Sequence, residues 1–154
     1  MNVFLADEQD GGVDTSDVVP LAQLVMREER LPADSEVAIV LIDSDEMARY
    51  NELYMHESGP TDVLSFPIED GAPGAPPERA EEGPPVNIGD VFIAPDVVRA
   101  NADRSEVPFE DEFALMVVHG LLHLLGWDHR SEDDATRMEA RERELLARIG
   151  KTRP

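Results

Sequence analysis

The sequence predicts a single-domain α/β (α+β) protein in which a mixed sheet of about four strands is packed by about five helices. Three observations carry that expectation. Short β-branched runs alternate with segments of helical apolar spacing. The 154 residues suit one domain spanning 1–154. One helical segment, 108–125, is apolar nearly all round and so belongs inside a core.

The elements follow in chain order. "NVFLA" (2–6) predicts a short strand, and Val18, Leu21, Leu24 and Val25, with Pro20 in the first turn, predict a helix from Asp17 to about Arg30. "EVAIVLID" (36–43) is too continuously apolar for an exposed edge, which places it near the sheet centre. Asp43 with Glu46 resembles a capping box, opening a helix whose Met47, Tyr50 and Tyr54 form one buried stripe. "TDVLSFPIE" (61–69) predicts a strand with Val63, Ser65 and Pro67 on one face and Leu64, Phe66 and Ile68 on the other; Pro67 marks an edge or a strand end. "DGAPGAPPERAEEGPP" (70–85) has no apolar periodicity and predicts a flexible loop within the domain. "VNIGDVFIAP" (86–95) restores strand character, with Gly89 as a bulge. The remainder is helical: a short helix at 95–103, the apolar helix at 108–125, and an amphipathic helix at 131–150 with Ser131 and Asp134 as its N-terminal signals.

Composition narrows the chemistry. With no cysteine, neither a disulfide, a thiolate metal site nor a Cys nucleophile is available, and any metal falls to His and carboxylates. The opening "MNVFLADEQDGG" carries no basic or long apolar stretch, so an unsecreted, cytoplasmic protein without a membrane partner is expected. A net charge of −21 repels polyanions at long range. Only the segment from Arg130 onward escapes this acidity, with seven basic against six acidic residues.

Three of the four histidines fall within "HGLLHLLGWDH" (119–129). His119 and His123, four apart, share a helix face about 6 Å apart along the axis. Gly126, one turn later, can end the helix in the left-handed conformation and fold the chain back so that His129 reaches the same point. Three imidazoles with an open position are a catalytic rather than a structural zinc arrangement. His56, near a turn, reads as a surface residue. The spacing also matches H-E-x-x-H-x-x-G-x-x-H metallopeptidases, but the general-base position is Gly120 here. The metal ligands remain and the peptidase base does not.

These residues resemble the YbeY-type endoribonucleases. The signature H-G-x-L-H-L-x-G-y-D-H is matched by His119, Gly120, Leu122, His123, Leu124, Gly126, Trp127, Asp128 and His129. A second block, P-T-D-V-L-S-F-P, is matched by Pro60 through Pro67, and a third, G-D-I-x-I, by Gly89 through Ile93 with Val91 in the first Ile place. Asn51 and Tyr54 stand at the expected offsets, so the resemblance spans roughly 36–150. It implies an α/β fold, one zinc-like ion on His119, His123 and His129, and cleavage of single-stranded RNA in 16S rRNA maturation and ribosome quality control. The implied partners are single-stranded rRNA and the small ribosomal subunit with its proteins. Many members carry Arg after the Tyr of N-x-x-Y-R, where this chain has Met55; Arg49, Arg99 or the basic tail would have to substitute.

Three neutral imidazoles leave an ion's charge uncompensated, a setting suited to a phosphodiester. Asp128, beside the third ligand, either orients water or hydrogen-bonds an imidazole. Ser65, Asp62 and Asp90 are candidates to line the cleft, with a capping or turn role as the alternative for the two carboxylates. The donor set also admits nickel, copper or iron. Another metallohydrolase, or a non-enzymatic ribosome-assembly factor with a structural metal, would use the same ligands.

Overall fold

The computed structural model covers residues 1–154. In it, β1 (Asn2–Asp7), α1 (Val18–Glu28), β2 (Glu36–Leu41) and α2 (Ser44–Met55) lead to β3 (Val63–Pro67) and β4 (Asn87–Ile93). Three helices follow: α3 (Pro95–Ser105), α4 (Phe109–Leu124) and α5 (Glu132–Ala147). This is the single α/β domain with a four-stranded mixed sheet and five helices that the sequence predicts. No helix is long and apolar enough to cross a membrane.

The strand order is β1-β2-β4-β3, with β1, β2 and β4 parallel and β3 antiparallel to β4. The apolar run of β2 is inner, as its composition demands, and Pro67 lies on an edge strand, where its missing N–H breaks no ladder. Gly89 forms the expected bulge: the register slips between Glu36 and Ala38 on β2, so two β4 residues, Ile88 and Gly89, oppose the single Val37. Its φ of +124° and an approach of 2.2 Å between a built Cβ and the Phe66 carbonyl oxygen exclude a side chain there.

Helix α4 runs across one face of the sheet with α1, α3 and α5 around it. Its Val117, Val118, Leu121, Leu122 and Leu124 are essentially inaccessible and join Val37, Ile39, Val91 and Ile93 in one core. Acidic Glu110, Asp111 and Glu112 occupy its first turn, where the helix dipole favours them. Ser131 caps α5 by accepting the Asp134 N–H at 3.0 Å.

Two expectations about α2 change. Asp43 makes no side-chain cap; its carboxylate accepts the Asp10 N–H at 3.1 Å instead, tying α2 to the loop after β1. The stripe is buried only at Met47 and partly at Tyr50, while Tyr54 is 56% exposed and rests against Phe66 of the edge strand. There Tyr50–Phe92, Phe92–Phe66 and Phe66–Tyr54 pack edge to face, and Tyr50 and Tyr54 lie tilted against each other. Residues 70–85 contain no helix or strand, only an isolated bridge between Ala72 and Ala75. They touch the domain through buried Pro77, an Arg79–Asp34 ion pair and the Arg30 guanidinium, which donates to the Gly74 carbonyl.

Candidate metal centre

The C-terminal end of α4 builds the histidine cluster. His119 and His123 project from one face of its last turns, and Gly126 then takes φ +94°. The Gly126 N–H donates to the His123 carbonyl and the Trp127 N–H to the Leu122 carbonyl, the paired bonds of a Schellman end. The reversed chain brings His129 back over the helix. Ring centroids lie 4.5 Å (119–123), 5.0 Å (123–129) and 5.6 Å (119–129) apart. One nitrogen from each ring lies within 4.8 Å of the others. Nitrogens bound to one tetrahedral ion at about 2.0–2.1 Å lie about 3.3–3.4 Å apart, so the three rings would draw together by up to about 1.5 Å to close the shell.

The donor set fits a divalent transition metal. Burial first, then the neighbouring His119 and His129 rings, lowers the His123 pKa from 6.5 to about 4. That imidazole is therefore neutral at physiological pH and its lone pair is free for a metal. His119 and His123 are half-buried and His129 exposed, so the cluster opens to solvent on one side.

Two glycines set this geometry. A Cβ at Gly126 would sit 2.2 Å from the Gly71 carbonyl oxygen, so the start of the 70–85 segment lies backbone to backbone on the turn. A Cβ at Gly120 would sit 2.6 Å from Val91 Cγ1 and 3.2 Å from Val63 Cγ2. Gly120 therefore lets α4 lie close on β3 and β4.

The other candidates are placed unevenly. Asp62 lines a cleft of about 330 Å³ that also contains His119, Glu112, Glu142 and Arg153. Its Oδ1 accepts the Val63 N–H at 2.9 Å and its Oδ2 the Asn101 amide at 3.3 Å. Ser65 faces α4, where its hydroxyl donates to the Gly120 carbonyl at 2.9 Å, fixing strand to helix one residue from His119. Asp128 accepts the His129 N–H at 2.7 Å and pairs with Arg130 at 2.7 Å; its contact with the third ligand's residue is through the backbone, not the imidazole. Asp90 does not join the site. It pairs across the strands with Phe66 and shares the face of Phe66 and Phe92, opposite α4.

Two carboxylates were not anticipated. Glu142 of α5, with only 2% of its side chain exposed, places Oε2 3.3 Å from His119 Nδ1. Glu112 of α4 lies in the same cleft, its carboxyl pKa raised by burial and then by Asp62. The signal for Glu142 was present: it falls in the apolar stripe Met138, Leu145, Leu146, where a charge needs a buried partner. Met55 ends α2 and is 41% exposed. Among the basic candidates, Arg49 pairs with Glu46 and Arg99 stacks on Phe109, whereas Arg153 of the tail lies in the His119 cleft. A larger cavity of about 730 Å³ between α1, α4 and the tail contains none of the histidines.

An α/β domain with three histidines gathered at the end of its central helix, one side open, is a metallohydrolase-type centre. The family described as "Endoribonuclease YbeY" matches residues 6–150, and the chain belongs to this family. A relative named Endoribonuclease YbeY from Thermobifida fusca (strain YX) is 37% identical over 147 residues, covering 96% of this chain and 93% of the relative. Another of that name from Acidothermus cellulolyticus (strain ATCC 43068 / DSM 8971 / 11B) is 40% identical over 147 residues, with 95% and 90% covered. The solution structure of TM1509 from Thermotoga maritima shares the fold, with a TM-score of 0.58 at 23% identity over 95% of this chain and 91% of that one.

Proposed function

We propose that this chain is a zinc-dependent, single-strand-specific endoribonuclease acting on 16S rRNA in maturation and ribosome quality control. The cytoplasm is its compartment and the small ribosomal subunit with its proteins its working partner. The observation that carries the reading is the three-imidazole cluster at the end of α4 in a chain whose relatives are named endoribonucleases. When bound, a divalent ion on three neutral imidazoles supplies Lewis acidity toward a phosphoryl oxygen and toward water. His119, His123 and His129 hold it. Asp128 orders the turn that delivers His129, and Ser65 fixes α4 against β3. Asp62, in the cleft beside His119, is the candidate carboxylate facing the RNA, and Arg153 of that cleft, which pairs with Glu142 and Glu139, would have to exchange those carboxylates for a phosphate to serve where Met55 replaces the family Arg. With −21 overall, RNA affinity depends on a partner that supplies positive surface.

Met55 and the charge favour one second reading, a non-enzymatic assembly factor with a structural metal. Metal analysis of purified protein, coupled to cleavage of single- and double-stranded RNA by wild type and His123→Ala, separates the two. The expected result is one zinc per chain, cleavage of the single strand only, and loss of both metal and cleavage in the variant. Equal cleavage by metal-free His123→Ala, or hydrolysis of peptide or ester substrates instead of RNA, overturns the endoribonuclease reading.

A further inference from the structure

The carboxylate of Glu142, at the wall of the His119 cleft, is almost wholly buried and has two side-chain neighbours. Its Oε2 lies 3.3 Å from His119 Nδ1 and its Oε1 3.4 Å from Arg153 Nε. The side chain projects from the apolar stripe of α5 that packs on α4, where Met138, Leu145 and Leu146 are buried beside it. A carboxylate in that position is strongly unfavourable without partners. A hydrophobic residue of similar size would complete the stripe without that penalty.

We infer that Glu142 is a positioning residue for the metal centre: by accepting a hydrogen bond from His119 Nδ1 it fixes the tautomer in which Nε2 carries the lone pair and faces the ion. A carboxylate only accepts, so the nitrogen facing it carries the proton. A neutral imidazole has one such proton, which leaves the other ring nitrogen as the ligand. The ring plane is held at the same time, because Oε2 sits on the α5 side of His119 while His123 and His129 lie 4.5 Å and 5.6 Å from it by ring centroid. Arg153 gives the second oxygen a cationic partner and, with a further approach of 3.9 Å to Glu139, holds the tail against α5. Carboxylate partners of this kind typically hold metal affinity up by about 10- to 100-fold.

The inference rests on the metal-centre reading and not on RNA as the substrate, and two measurements test it without RNA. Long-range ¹H–¹⁵N correlation spectra of metal-free wild type at neutral pH should show His119 protonated on Nδ1 with Nε2 bare; a proton on Nε2 overturns the inference. Zinc affinity, measured by chelator competition, should fall about 10- to 100-fold in Glu142→Met and by less than that in Glu142→Gln, whose amide oxygen still accepts. Glu142→Met binding zinc within about threefold of wild type overturns it, since the expected loss is at least tenfold. If Glu142→Met does not fold, the wild-type tautomer and the Glu142→Gln affinity decide. A protein that passes both measurements and cuts no RNA refutes the endoribonuclease reading and leaves this role of Glu142 standing.

Discussion

Replacing Gly120 by alanine would place a methyl carbon 2.6 Å from Val91 Cγ1 and 3.2 Å from Val63 Cγ2. Both neighbours are β-branched with stiff χ1 angles, and Val91 is fully buried on an inner strand, so neither can swing aside. Two effects oppose. Alanine in a helix interior is favoured over glycine by about 0.8–1.0 kcal/mol, while overpacking a tight core costs about 1–3 kcal/mol. The net expectation is a destabilisation of about 1 kcal/mol, read as a lower urea midpoint at unchanged slope. Val91→Ala removes the closest methyl; in that background Gly120→Ala should stabilise by up to about 1 kcal/mol, the helix preference alone. The coupling between the two substitutions should therefore be about 1–3 kcal/mol. Stabilisation by Gly120→Ala in the otherwise unaltered chain would refute the close approach of α4 to β4.

Other expectations follow from the same structure. Gly126→Ala combines φ +94° with a 2.2 Å approach to the Gly71 carbonyl oxygen; the turn should open, with about 2–4 kcal/mol lost and zinc affinity lost with it, which the fluorescence of the single tryptophan, Trp127, can follow. His123 has a folded-state pKa of about 4, against about 6.5 unfolded, so the unfolded chain takes up its proton first. Metal-free protein should keep the full contribution above about pH 6.5 and lose up to about 3 kcal/mol as pH falls to about 4; urea midpoints across that window should fall less steeply in His123→Gln, and an identical slope would refute the shift. Arg141 pairs with buried Glu29 at 2.6 Å and donates to the Glu28 carbonyl; Arg141→Met leaves Glu29 without its cation and should lower stability by about 3 kcal/mol in the same assay.

Much of this was legible because the signals are local. The β2 run, the apolar circumference of α4, the Ser131 cap and the i, i+4 histidines followed by Gly126 are each written within one or two turns of chain. What was not legible depends on partners distant in sequence. Asp43 has a capping sequence, yet its carboxylate goes to the Asp10 N–H, 33 positions away. Tyr54 continues a periodic stripe, but its ring meets only Tyr50 and Phe66 at the sheet edge and stays 56% exposed. Of the two readings of Asp90, cleft-lining or a turn role, the fold excludes the first for a different reason. The bulge at Gly89 adds one residue, so the buried Ile88 and Val91 sit at opposite parity and simple alternation sends Asp90 to the wrong face. Glu142 belongs to the site through tertiary packing of α5 on α4, and only its anomalous place in an apolar stripe marks it.

Gly120 gains a second meaning from the packing. From sequence it is the missing general base of a metallopeptidase motif; in the fold it is the point where α4 presses on the sheet. A side chain at residue 120 would point at the sheet, its Cβ meeting Val91 and Val63. A glutamate there would meet the sheet before it met the metal centre, so restoring H-E-x-x-H would disrupt the core without restoring a base. The same close approach carries the Gly120 carbonyl to the Ser65 hydroxyl, which ties the strand to the helix beside the first histidine. The carboxylates that do reach the site, Glu142, Asp62 and Glu112, arrive from α5, from the residue before β3 and from the first turn of α4, all on the side that opens at His119.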